Sequence, residues 1–251
     1  MNQRFQDKVA IITGGADGIG KGIAEQIASE GGQVVLFDIN HNLLPKTVQS
    51  FKERGYATEG YHVDISDEKA VQQTLQQVEH NLGKIDIMVN AAGIIGPTGT
   101  RIIDYPLEAF EQVYAVNLRG SFIMTKYVLP SMIQQNYGRI LLIASIAGKE
   151  GNPNMVGYSV TKAGVIGLVK AIGKEYAETG ITINGLAPAV IKTAFNDNTA
   201  PGIIEYMLSK IPMKRMGTIE EVAALSSWIV SDECSFTTGF VFDCSGGRAT
   251  Y

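Results

Sequence analysis

Cysteine is nearly absent: Cys234 and Cys244 are the only two in 251 residues. Two cannot build a disulfide framework. They lack the spacing of a metal site, and a reduced cytosolic setting is the simplest reading. Proline is scarce at 8 residues, and glycine follows no three-residue period, which excludes collagen-like and low-complexity chains. Charged residues make up 18 %, below the average of about 25 %. No run of about 18 apolar residues exists, so no membrane span is expected. Met1-Asn2-Gln3-Arg4-Phe5 opens no apolar stretch long enough for a signal peptide. A basic excess is missing too: the formal net charge is −4, which argues against a nucleic-acid partner.

What the chain holds in excess is glycine, 28 residues, about 11 % against a usual ~7 %. A chain of this length buries roughly 70–75 % of its unfolded surface and needs no staples. Short apolar, β-branched runs alternate with helical patterns, with neither repeat nor linker. The runs are Lys8–Thr13, Gln33–Asp38, Ala57–Val63, Ile85–Asn90, Arg139–Ala144, Ile181–Leu186 and Phe240–Asp243. Continuous runs such as Val34-Val35-Leu36-Phe37 suit strands buried on both faces, hence a parallel sheet. Between them, Ile19, Ile23 and Ile27 repeat every four residues, and Val71, Leu75, Val78 and Leu82 fall at helical spacing. This alternation predicts an α/β, Rossmann-type doubly wound sheet of about seven parallel strands in a single domain spanning 1–251. Gly31-Gly32, Gly55, Gly83, Gly138 and Gly180 each lie between a helical pattern and a strand, where a left-handed residue ends a helix. The stretch 191–212, with Asn196, Asn198, Pro201 and Gly202, reads either as a mobile substrate lid or as an ordinary helical excursion.

Thr13-Gly14-Gly15-Ala16-Asp17-Gly18-Ile19-Gly20 follows the first strand and opens the first helix. Gly14 permits a tight turn, Gly18 lets the backbone approach a pyrophosphate, and Gly20 allows close helix–strand packing. The helix start then offers free N–H groups to the phosphates. Asp38 ends the second strand, where a carboxylate accepts hydrogen bonds from both adenosine ribose hydroxyls and repels a 2′-phosphate. The next residues, Ile39, Asn40 and His41, do not compensate that charge, so NAD is expected in preference to NADP. Asn90-Ala91-Ala92-Gly93 closes the fourth strand. Further on come Asn117, Ser145 and Tyr158-Ser159-Val160-Thr161-Lys162.

Together these residues resemble the short-chain dehydrogenase/reductase family, over essentially the whole chain. The resemblance implies a catalytic tetrad of Asn117, Ser145, Tyr158 and Lys162. It implies that Asp64 and Ile65 meet the adenine, and that Asn90, Ala91, Ala92 and Gly93 border the cofactor; Ala91 departs from the family's second asparagine. Pro188, Val190, Ile191 and Thr193 would meet the nicotinamide, with Ala189 replacing a glycine and stiffening or reshaping the turn. The residue chemistry agrees. Tyr158 and Lys162, four apart, share one helix face. A free tyrosine titrates near ~10, and an adjacent ammonium lowers that value. Tyr158 then takes the alcohol proton as hydride leaves for NAD. Ser145, at a strand end where open α/β sheets place ligands, holds the substrate oxygen. Lys162 also binds the nicotinamide ribose, and in the family the asparagine holds a water that relays protons.

Lys149, Glu150, Asn152, Asn154 and Met155 follow Ser145 and should line a polar substrate pocket; long acyl chains would favour an apolar groove. That loop, Pro188-Ala189-Val190 and the 244–251 tail resemble dehydrogenases of 2-keto-3-deoxy sugar acids, as in L-rhamnose and L-fucose breakdown. Arg248, from its own chain or a neighbouring subunit, is expected to bind a substrate carboxylate bidentately; the alternative is a disordered surface tail. The competing reading is a 3-oxoacyl-carrier-protein reductase, with Arg101, Lys126 and Arg139 as candidate basic surface; Asp38 counts against it, since those enzymes mostly use NADPH. A catalytically silent nucleotide-binding relative would typically lose Tyr or Lys, and this chain keeps both. Gly164, Gly167 and Gly173 on the Tyr158 helix, and the apolar segment Gly120 to Gln135, point to close helix pairing between subunits. The family's usual state is a tetramer, and packing within one monomer is the alternative.

Overall fold

The computed structural model describes residues 3–193 and 201–251, with the side chains of 201–203 excepted. Each apolar run forms a strand. They are β1 (Val9–Thr13), β2 (Gln33–Asp38), β3 (Thr58–His62), β4 (Ile87–Asn90), β5 (Gly138–Ile143), β6 (Ile181–Pro188) and β7 (Val241–Cys244). The helices between them are α1 (Gly18–Ser29), α2 (Leu43–Glu53), α3 (Glu68–Leu82), α4 (Leu107–Tyr114), α5 (Gly120–Gln135), α6 (Ile146–Glu150), α7 (Val156–Glu175), α8 (Pro201–Ser209) and α9 (Ile219–Ile229). All strand pairs are parallel, in the order β3-β2-β1-β4-β5-β6-β7.

Side chains alternate across each strand, and both faces are covered. Ile11, Val35, Phe37, Met88, Ile140 and Ile183 pack with α3, α5 and α7 residues such as Val71, Met124 and Val165. Ala10, Ile12, Val34, Leu36, Val89 and Leu141 pack on the other side with Ile23, Ile27 and Val222. This two-sided burial is why the strands read as unbroken apolar runs rather than as alternating ones. The strand order reverses between β1 and β4, and the carboxyl ends of the strands near that point gather the glycine turn, Asp38 and Ser145.

Two expectations need correction. Gly31, Gly55 and Gly83 do take left-handed φ of 92°, 80° and 80°, but Gly138 and Gly180 do not. There the left-handed residue ending α5 is Asn136, at φ 50°. Gly138 and Gly180 are glycine for lack of room, since a Cβ would press on the Met132 side chain and the Asn136 carbonyl respectively. Similarly, Gly173 abuts the backbone of Gly239 in the same chain and needs no partner subunit. Of the 191–212 stretch, residues 194–200, including Asn196 and Asn198, lie outside the described residues, and Pro201–Ser209 is helical.

Candidate active site

The nucleotide end begins where β1 runs out. Gly14 and Gly18 adopt φ of 64° and 56°. A Cβ on Gly20 would collide with the Gly14 carbonyl, whereas one on Gly18 would meet nothing within 4 Å. The backbone at Gly18 is therefore bare toward open space. Asp17 does not cap α1 with its side chain, so the first-turn N–H groups of Gly18, Ile19 and Gly20 lack a capping partner. That combination fits a dinucleotide pyrophosphate. The turn is braced from behind: Asp38 Oδ2 accepts from Ala16 N at 3.0 Å, and Asp38 Oδ1 accepts from Asn40 N at 2.8 Å. Ile39 beside it is 60 % exposed, an apolar surface suited to an adenine face. Asp64 accepts from Ser66 N and Oγ, and Ile65 is buried where a Gly120 Cβ would go.

Buried Asn90 ties three segments together. Its Oδ1 accepts from Thr13 Oγ1 at 2.6 Å and its Nδ2 donates to Ser121 Oγ at 2.8 Å, while Thr13 Oγ1 accepts from Ala92 N at 3.1 Å. Ala91 therefore replaces a residue whose side chain this network does not need. Thr13 and Ser121 were not singled out as site residues; the strand register that sets Thr13 opposite Asn90 exposes the first, and the second reaches Asn90 from α5 only in the folded chain.

The catalytic end is centred on β5 and α7. Ser145 caps α6, its Oγ accepting from Ala147 N at 3.1 Å. Tyr158 lies within hydrogen-bonding reach of Ser145, whose hydroxyl pulls the phenol pKa down, but burial of the phenol outweighs it and the net displacement is upward. Lys162 is also buried. Its Nζ donates to Ile143 O at 2.7 Å and stands 5.8 Å from the Tyr158 ring centre. Desolvation takes this ammonium down to about 8. The expected lowering of the phenol by Lys162 is thus reversed in the chain alone: burial raises the phenol and disfavours the very charge that should lower it.

Asn117 stands in a one-turn π-helix, Ala115–Arg119, inserted between α4 and α5. Its Nδ2 donates to Ile94 O and its Oδ1 accepts from Ile94 N, both at 2.8 Å, and Nδ2 also reaches Thr161 Oγ1 at 3.2 Å. The amide therefore fastens the loop after β4. A Cβ on Gly93 would lie 3.1 Å from Asn117 Oδ1 and 3.5 Å from Lys162 Nζ, so that glycine keeps the two side chains' meeting point clear. Pro188 through Thr193 leaves β6 pinned on both sides. Ala189 N donates to Cys244 O, Gly217 N to Val190 O, and Lys192 N to Gly217 O. Ile191 pairs with Gly217. The stiffness expected of Ala189 thus has a backbone cause.

The substrate side departs most from expectation. The tail is folded onto its own chain. Arg248 Nε and NH2 donate to Glu150 Oε2 at 2.9 and 2.8 Å, and NH2 also to Asn152 Oδ1 at 3.0 Å. Lys149 Nζ pairs with Asp243 Oδ2 at 3.0 Å and with the main-chain oxygen of Tyr251, whose hydroxyl returns a bond to Lys149 O. Arg248, read as an open fork for a substrate carboxylate, is already answered by a carboxylate of its own loop. Asn152 N donates to Ser159 Oγ, tying the corner to α7, and Asn154 takes φ 62° ahead of Met155. Asp243 and Tyr251 were missed because their partners lie some hundred positions away in sequence.

Comparison with known proteins follows the same lines. A family model described as Enoyl-(Acyl carrier protein) reductase matches residues 14–249. The chain is 44 % identical to the 2-dehydro-3-deoxy-L-rhamnonate dehydrogenase (NAD(+)) of Sphingomonas sp. (strain SKA58), over 99 % of this chain and 98 % of that protein. It is 36 % identical to a 3-oxoacyl-(acyl-carrier-protein) reductase of Thermotoga maritima, covering 97 % of this chain and 98 % of that one. Among solved structures, an NAD+-bound xylitol dehydrogenase superposes with a TM-score of 0.92 at 33 % identity, covering 97 % of this chain and 99 % of the other.

Proposed function

Because the chain belongs to the short-chain dehydrogenase/reductase family, we propose that it interconverts a secondary alcohol and a ketone on a 2-keto-3-deoxy sugar acid or a related hydroxy acid or polyol. It is an NAD-dependent oxidoreductase acting on CH–OH groups. The observation that carries the reading is the convergence of Ser145, Tyr158 and Lys162 at the carboxyl end of β5, beside a glycine turn bare of side chains. Gly14, Asp17, Gly18, Ile19 and Gly20 take the phosphates, Asp38 the ribose hydroxyls, and Ile39, Asp64 and Ile65 the adenine. Asn90 through Gly93, Pro188, Val190, Ile191 and Thr193 border the nicotinamide. When bound, the cofactor supplies the hydride acceptor or donor and, oxidised, a positive charge.

Ser145 holds the substrate oxygen by hydrogen bond. Tyr158 takes the alcohol proton, or returns it in the reverse direction, and an added positive charge favours the phenolate that burial alone disfavours. Lys162, held by Ile143 O, keeps its ammonium on the Tyr158 side of α7 and takes the nicotinamide ribose. Asn117 fixes the loop after β4 through Ile94. NAD is preferred to NADP because Asp38 faces the ribose end without a cation in the residues that follow it. Lys149, Glu150, Asn152, Asn154, Met155 and Ala189 line the substrate side.

The protein works as a homotetramer in the cytoplasm. Support for assembly is an apolar groove of about 310 Å3 between α5 and α7, lined by Leu118, Phe122, Gly164, Gly167 and Leu168 among others. Phe122 is half exposed, and a Cβ on Gly167 would meet nothing. No described helix is long and apolar enough to cross a membrane. The test is a panel of sugar acids, polyols and acyl thioesters with NAD(H) and NADP(H), run beside Tyr158→Phe. The variant should bind NAD(H) and lose turnover at least a hundredfold. Turnover surviving in Tyr158→Phe refutes the mechanism, and turnover confined to acyl thioesters refutes the substrate class in favour of an acyl-carrier-protein reductase.

A further inference from the structure

Three pieces of chain are tied together around the corner that joins Ser145 to Tyr158. They are the loop 94–101 after β4, the corner 149–155 between Ser145 and Tyr158, and the segment 245–251. Several basic side chains stand in or beside them, and the structure separates their duties; Arg215, which lines a cavity with Ala189 and Ser245, is engaged by Glu221. Lys149 is engaged by Asp243, and Arg248 by Glu150 and Asn152. Their side chains are only 8 % and 5 % exposed, so neither is open to a second anion without breaking an internal pair. Lys192 is exposed too, but it lies within the 188–193 segment assigned above to the nicotinamide, on the cofactor side.

Arg101 is different. The loop that carries it is fixed at both ends. At its inner end, Ile94 is clasped by the Asn117 amide, next to Lys162. At its outer end, Thr100 N donates to Asn154 O at 3.2 Å, within the corner that precedes Tyr158. Midway, Gly96 lies against Val113 and the Tyr105 hydroxyl, and the same hydroxyl lies where a Cβ on Gly157 would go. The loop therefore runs from the catalytic lysine out along the start of α7 and meets the 149–155 corner one residue before Arg101. There the side chain is exposed and makes no ion pair, hydrogen bond or ring contact among the described residues. Asp104 and Glu108 follow within two turns, yet neither pairs with it, so its charge is undiminished.

We propose that Arg101 recognises the carboxylate of the substrate, and that Arg248 is a positioning residue that holds the 149–155 corner in place. This assignment rests on the sugar-acid reading given above. A guanidinium beside that corner can take a carboxylate in a forked pair. It does so without displacing a protein carboxylate, as Arg248 would have to. Arg248, in contrast, grips Glu150 through both Nε and NH2 and reaches Asn152 through the same NH2, and the forked grip on Glu150 is one that an ammonium lacks.

The experiment is steady-state kinetics with a 2-keto-3-deoxy sugar acid, or its reduced form, and with a neutral polyol, in the full-length enzyme with NAD(H). Arg101→Gln should lower kcat/KM for the acid at least tenfold relative to the polyol, with the loss in KM and little in kcat. Arg101→Lys should recover part of it, and raising ionic strength should weaken acid binding in the wild type but much less in Arg101→Gln. Arg248→Lys should lower kcat for acid and polyol alike. Equal effects of Arg101→Gln on both substrates overturn the assignment. A selective loss for the acid in Arg248→Lys, with Arg101→Gln kinetically silent, overturns it too and returns the role to the tail. If the wild type turns over polyols but no sugar acid, the functional reading itself fails, and that is seen before any variant is compared.

Discussion

Replacing Lys162 with methionine should abolish turnover while making the free protein more stable. The side chain is buried, and desolvation takes its pKa from 10.5 to about 8. That fall corresponds to about 3 kcal/mol of stability withheld from the folded chain at pH 7. The sign follows from proton counting. Between pH 8 and 10.5 the unfolded chain holds the lysine proton and the folded chain has begun to lose it. The contribution of Lys162 to stability therefore rises with pH through that window, and below about pH 8 its full cost is present. Methionine has a stem of similar length and no charge. It forfeits the 2.7 Å bond from Nζ to Ile143 O, which returns about 1–2 kcal/mol to the debit side by leaving a buried carbonyl short of a partner. The net gain at pH 7 is about 1–2 kcal/mol, or several degrees in Tm for a domain of this size.

The assay is thermal or urea unfolding of both proteins, without nucleotide, since a ligand bound only by the folded state adds its own stability. The difference between variant and wild type should be positive at pH 7, shrink through pH 8–10, and vanish or reverse near pH 10.5. A difference that stays constant or widens over that range would mean that Lys162 carries no desolvation cost. The account of why the phenol needs a further positive charge would then collapse with it, because both rest on the same burial.

Two other outcomes follow from the site. Ser145→Ala removes the hydroxyl that draws the Tyr158 phenol down, so the alkaline-rising limb of alcohol oxidation should move to higher pH by a measurable fraction of a unit or more. A limb that stays in place while the rate falls would confine Ser145 to holding the substrate. Asp38→Asn turns one of two acceptors, now engaged by Ala16 N and Asn40 N, into a donor facing a donor. KM for NAD should rise about tenfold, equivalent to about 1.4 kcal/mol, and the ratio of NADP to NAD use should increase. An unaltered ratio would remove Asp38 from cofactor selection.

What could be read from the sequence was whatever a short stretch decides by itself. Val34-Val35-Leu36-Phe37 announces two-sided burial because both neighbours of each side chain are apolar, and β2 spans the predicted residues. The order of Gly14, Gly18 and Gly20 fixes a turn because its constraints are local, two left-handed φ angles and a contact between Gly20 and Gly14 six residues apart. Gly138 and Gly180 escaped correct interpretation because their reason is remote: Gly180 faces Asn136, 44 positions away. The phenol of Tyr158 escaped for a related reason, since spacing brings Lys162 alongside it but says nothing about how dry the place is, and dryness decides both protonation states. Arg248 is the sharpest instance. Its residue type and position were visible, but the ion that answers it, Glu150, is 98 positions away and had itself been taken for a substrate contact. A charge can be assigned to a ligand only after the protein's own counter-ions have been matched. Once they are, Arg101, which the sequence offered only as basic surface for a carrier protein, is a cation beside the 149–155 corner with no counter-ion among the described residues.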